Sequence, residues 1–168
     1  AYRFGTVKPS VGRTTKVQII CDRAPRGAEP ALDRAGIIAG AVCRARDWVN
    51  TPANELYPES FAAEVVAMAR GTRIQVQVLD EKTLAKQGFG GILAVGGGSD
   101  RPPRLVRCDY HPSGAKRHLV LVGKGITFDT GGYNLKPGTS MITMLSDMAG
   151  AAAVLSATRA IADLGLPL

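Results

Sequence analysis

Residues 119–150, LVLVGKGITFDTGGYNLKPGTSMITMLSDMAG, constrain the fold more than any other stretch, because an apolar run stops abruptly at glycine, lysine and aspartate. The continuous apolar segment 119–122 predicts a strand covered on both faces, and Lys124 follows its end directly. The stretch resumes as MAGAAAVLSATRAIADL, an alanine-rich pattern that predicts a helix from about Asp147. Strand, charged glycine-rich loop and helix, in that order, is how open α/β sheets place their sites, at the carboxyl ends of strands.

The preceding chain supplies more of the same units. Residues 2–8 and 16–21 predict short strands around a Pro, Ser and Gly turn, and 22–30, with two prolines and a glycine, read as a linker. From Ala31, the spacing of Leu32, Ala35, Ile38, Ala39, Val42 and Val49 predicts an amphipathic helix to about Trp48, stopped by Pro52. Pro58 opens a second helix over 59–70. Residues 73–79 alternate as a half-buried strand, and 81–87 form a short helix closed by Gly88. Three further strands are expected, at 92–95, 104–110 and 118–122. Strands alternating with helices make this an α/β layered fold.

Composition narrows the class. At 168 residues a single domain with a sizeable core is expected. Lys and Arg outnumber Asp and Glu by 21 to 14, giving +7. The basic residues are scattered, without a basic run or an aromatic-interleaved patch, so nucleic acid is not the expected partner. Cys21, Cys43 and Cys108 are widely spaced and in no CxxC pair, against a disulfide framework or structural zinc and in favour of a reducing compartment. No uninterrupted apolar run reaches the roughly 18 residues of a spanning helix, and the first residues do not read as a signal peptide; no membrane partner is expected.

Within 119–150, Asp129 and Asp147 are hard oxygen donors able to hold divalent cations. Singly, each has a structural reading: Asp147 as a helix-start residue favoured by the macrodipole, Asp129 as a turn former before Thr-Gly-Gly. Lys124, between Gly123 and Gly125 after a strand expected to be buried, can serve as a ligand or base if burial or nearby cations remove its proton. Lys136 can polarise a carbonyl or stabilise an oxyanion. A phosphate cradle would use similar parts. The glycines at 96–98 lack the GxxxxGK[ST] or GxGxxG pattern of a nucleotide loop.

The stretch VGKGITFDTGGYNLKPGTSMITMLSDMAGAAAVL resembles the first metal-binding signature of the leucyl aminopeptidase family, the M17 cytosol aminopeptidases. ARDWVNTPANELYPESFA is similar to the segment where that family's linking helix enters the catalytic domain, and LAVGGGSDRPPRLV to a following strand and loop. The resemblance implies a three-layer α/β/α domain with a mixed, largely parallel sheet. Residues 1–30 would be the end of an N-terminal domain and linker, and 31–168 the linking helix and first half of the catalytic domain.

Position by position, the resemblance makes Lys124, Asp129 and Asp147 metal ligands, with Asp129 bridging two ions. It makes Lys136 the catalytic lysine that binds the peptide carbonyl, and Met144, otherwise a core methionine, a wall of the pocket for the N-terminal side chain. It implies two divalent ions, Zn or Mn with Mg or Co also compatible, a peptide substrate with a free amino terminus, a hexamer and a cytoplasmic location. A non-catalytic relative acting as an oligomeric scaffold or DNA-binding protein is the alternative. The family's second signature, NTDAEGR-like, does not occur in these residues, and most of the N-terminal domain is not represented. The 168-residue chain by itself is therefore expected to show negligible peptidase activity. Tyr133, Asn134 and Leu145 depart from the family's usual residues, which bears on substrate fit rather than on the ligands.

Overall fold

The structure, a computed structural model of the chain, describes residues 18–168 except Cys21, Ala24 and Asn134. The strand expected at 2–8 and most of that at 16–21 lie outside the described residues; 18–20 are not in a strand, and Ile19 and Ile20 are exposed.

Helix α1 runs Ala28–Asn50, beginning three residues earlier than the apolar spacing indicated. Gly27, at φ 79°, turns the chain into it, a conformation that favours glycine. At its far end the side chains of Asn50 and Thr51 donate to the carbonyls of Arg46 and Asp47, at 2.6 and 2.8 Å, before Pro52 blocks continuation. Helix α2, Pro58–Ala69, opens on proline, and the Ser60 hydroxyl accepts from the Tyr57 N–H at 2.9 Å. Strand β1, Ile74–Leu79, pairs antiparallel with β2, Leu105–Tyr110, in a register that sets Ile74 opposite Tyr110 and Leu79 opposite Leu105. Between them lie α3, Glu81–Lys86, capped by Asp80 accepting from the Thr83 N–H, and α4, Gly90–Gly96. The chain ends in α5, Gly138–Met141, a 3-10 turn, Met144–Ser146, and α6, Ala149–Asp163.

One hydrophobic cluster joins the helices, while Ile74, Leu79 and Leu84 are buried outside it. Trp48, Leu56, Phe61, Val65 and Met68 pack with Met148 and Ala152, flanked by Ala45, Val76, Val106 and Leu155. The Trp48 and Phe61 rings meet edge to face with centroids 5.2 Å apart, a favoured aromatic geometry. Helix α6 lies along α1, and the Arg159 guanidinium ties it to α2 through the Met68 carbonyl while also pairing with Asp163. Burial on α1 is confined to its second half, at Ala41 and Trp48, whereas Leu32, Ile38 and Val42 are exposed. The 23 residues of α1 reach about 34 Å against about 22 Å for the 15 of α6, so the predicted apolar stripe outruns the surface that covers it. By length and composition alone Gly138–Asp163 could cross a membrane; only α6 within it is a continuous helix of any length, and that is shorter than the ~30 Å of a bilayer core.

Two expected strands are corrected. Residues 92–95 belong to helix α4, closed by the Gly97 N–H donating to the Leu93 carbonyl at 2.7 Å. A four-residue apolar run has no period that separates helix from strand, and here Gly96 lets the helix sit against Pro103. Segment 119–122 belongs to no helix and pairs with no strand among the described residues, and Val120 and Val122 are 68% and 88% exposed. The apolar content suited a strand covered on both faces, but the β1–β2 sheet does not extend to it. The described residues thus make an α/β unit with a two-stranded antiparallel sheet.

Candidate metal centre

The charged loop is anchored to α6 by close backbone approach. The Ala151 N–H, one of the first-turn donors that a helix leaves without an internal partner, donates to the Lys124 carbonyl at 2.8 Å. A Cβ at Gly123 would lie 2.6 Å from Ala151 Cα, the Gly150 carbonyl oxygen and Val154 Cγ2. Gly123 and Gly150 are therefore contact points between loop and helix. The small-residue run MAGAAA was the available signal for this, and sequence reasoning read those residues only as helix formers.

Two lysine–aspartate pairs organise the loop. Lys124 Nζ lies 3.1 Å from Asp147 Oδ1, and Lys136 Nζ lies 2.8 Å from Asp129 Oδ2. Asp129 is oriented by the Gly131 N–H, which donates to Oδ1 at 2.8 Å. The Lys136 ammonium, then the Gly131 N–H, hold the Asp129 carboxyl below the usual carboxylate range, and Lys124 contributes in the same direction. The two pairs thus belong to one electrostatic cluster. Lys136 Nζ also donates to Met144 Sδ at 2.9 Å. Lys124 is not the buried lysine that its place after an apolar strand suggested; its side chain is 57% exposed, because 119–122 is uncovered. Asp147 closes the 3-10 turn, its N–H donating to the Met144 carbonyl, two residues before α6 begins.

The donor set suits a cation in part. Asp147 Oδ2 is buried and has no hydrogen-bond partner among the described residues, the condition of an oxygen that a ligand would satisfy. Two carboxylates and an amine suit hard or borderline divalent ions. Among the described residues no three His, Cys, Asp or Glu side chains group as a metal site, so further ligands would be needed.

The model of the cytosol aminopeptidase family catalytic domain matches residues 43–168. The chain belongs to this family. A probable cytosol aminopeptidase of Cutibacterium acnes is 59% identical over 142 residues, covering 84% of the chain and 28% of the relative. One from Micrococcus luteus is 50% identical over 176 aligned residues, covering 100% and 34%. The chain thus spans about a third of the length of these cytosol aminopeptidases. Among solved structures, leucyl aminopeptidase from Trypanosoma cruzi superposes with TM-score 0.79 at 34% identity, covering 86% of the chain and 28% of that protein. The bottromycin maturation enzyme BotP in complex with Mn gives 0.76 at 40%, covering 86% and 31%.

Proposed function

We propose that these residues form the first part of the catalytic domain of a two-metal aminopeptidase that removes leucine-like residues from peptide amino termini. The observation that carries this reading is the paired cluster Lys124–Asp147 and Lys136–Asp129, with one buried Asp147 oxygen left without a partner among the described residues. Family membership and the Mn-bound relative support it.

Asp129, Asp147 and Lys124 would hold the ions, zinc or manganese by family and magnesium or cobalt by donor type. When bound, such cations supply Lewis acidity, holding a free substrate amine and lowering the pKa of the attacking water. The protein's own residues do the rest. Gly131 holds one Asp129 oxygen and so fixes the direction of the other. Lys136, partly exposed, can donate to the peptide carbonyl oxygen as negative charge grows there. Met144 would line the pocket for the N-terminal side chain. The wider reading places 1–30 at the end of an N-terminal domain and linker and 31–168 in the linking helix and the first half of a three-layer α/β/α catalytic domain with a mixed, largely parallel sheet. The complete enzyme would be a cytoplasmic hexamer.

The test is hydrolysis of a leucyl anilide by the complete enzyme supplied with Mn or Zn. Lys136→Ala is expected to lower kcat about 10²–10³-fold with a smaller change in KM. No turnover with either metal would sink the reading, and equal losses in kcat and affinity would remove Lys136 from the carbonyl.

A further inference from the structure

Lys136 is held at every level. Its N–H donates to the Thr130 carbonyl at 2.9 Å. Its stem runs against Gly131, where a Cβ would lie 3.0 Å from Lys136 Cγ, and Gly131 has φ 80°. Its ammonium touches Asp129 Oδ2 at 2.8 Å and Met144 Sδ at 2.9 Å. An ammonium has three N–H groups that rotate freely about the Cε–Nζ bond. The Asp129 contact sets that single torsion and orients one N–H; a second partner on another N–H holds Nζ itself in place and leaves the third N–H available. We propose that Met144 is a positioning residue for Lys136: with Asp129, its sulfur holds Nζ in place and occupies a second N–H, so that the remaining N–H faces the carbonyl to be polarised.

Met144 suits this task better than an aliphatic side chain of similar volume. A thioether accepts weakly and is polarizable, so it directs the ammonium without competing with a substrate oxygen as a second carboxylate would. Its place in the chain adds a second reason. Met144 opens the 3-10 turn whose carbonyl accepts from the Asp147 N–H at 3.2 Å. One turn therefore aligns the sulfur on Lys136 and the carboxylate paired with Lys124, joining the two ion pairs through a single short segment. The proposal rests on the aminopeptidase reading for its catalytic meaning, while the contact itself is measurable without turnover.

The experiment compares Met144→Leu, which keeps the volume and removes the acceptor, with Met144→Gln, which restores an acceptor. In protein with isotope-labelled lysine side chains, the Lys136 ammonium resonance should shift in Met144→Leu and return towards its original position in Met144→Gln. In the complete enzyme, Met144→Leu should lower kcat about fivefold, the scale of one modest hydrogen bond, with a smaller change in KM and with kcat recovered in Met144→Gln. A Lys136 resonance unmoved in Met144→Leu overturns the proposal even if the enzyme is active. So does an equal kcat loss in both variants, which would mark Met144 as packing alone. An enzyme that never turns over defeats the aminopeptidase reading and the catalytic role together, and is told apart from failure of the contact by the resonance.

Discussion

The cluster around Trp48 and the loop over residues 123–147 differ in what holds them. In the first, side chains from α1, α2 and α6 exclude water together with Met148, just ahead of α6. In the second, exposed and half-exposed charges are paired, and the backbone is fastened to α6 at Gly123, Lys124 and Gly150. Burial stabilises roughly in proportion to the apolar area removed from water, whereas charge pairs at a partly open surface add little stability. The loop's geometry therefore depends on a few close backbone approaches, and its ion pairs can be exchanged for a ligand at little cost in stability.

Breaking the apolar region should cost most. Trp48→Ala, which removes a ring 5% exposed and in contact with Phe61, should lower unfolding free energy by about 3–5 kcal/mol in urea titration. A loss below about 1 kcal/mol would mean the cluster is not the main source of stability. Gly123→Ala attacks the seam between the regions. Its new methyl meets Ala151 and Gly150 backbone at 2.6 Å, which should cost about 1–3 kcal/mol and weaken the metal binding proposed for the complete enzyme, measured by calorimetry with Mn. Unchanged Mn affinity would show that loop placement does not depend on this approach.

Within the loop, Tyr133 has φ 37° and a fully exposed ring. Because a non-glycine residue is strained there, Tyr133→Gly should leave stability equal or raise it by up to about 1 kcal/mol. A clear loss would show that the ring makes a contact that compensates for the strain. The smallest effect concerns pH. Asp80 is held below the usual carboxylate range by hydrogen bonds from Thr83. Its contribution is present above the unfolded-state value near 4 and is lost as pH falls through the lower folded-state value. Acid titration of Asp80→Asn should therefore show a shallower loss of stability below about pH 4 than the unsubstituted chain; identical curves would refute the linkage.

Much of the helical frame was legible because its signals are local. Pro58 and Gly88 signal helix ends in the sequence, and α2, β1, α3 and β2 fall within a residue of their expected bounds. Legibility failed where an element depends on a neighbour. Residues 92–95 and 119–122 are both apolar and short, yet one is helical and the other irregular, without a strand partner among the described residues. The same holds for the exposed Leu32, Ile38 and Val42 on α1, whose spacing marks a helix without stating what lies against it.

The candidate site divides in the same way. Lys124, Asp129, Lys136, Met144 and Asp147 could be named from the order of residues, since the chemistry of a side chain and its place in a family pattern need no coordinates. Which lysine meets which aspartate, the contact of the Met144 sulfur with Lys136, and the unpartnered buried oxygen of Asp147 were decided only in three dimensions. Sequence by itself determined the donors and the helices, because both follow from local covalent chemistry. Tertiary structure decided the pairings, because they depend on how the loop folds back on itself and, at Gly123 and Gly150, on how closely its backbone approaches α6.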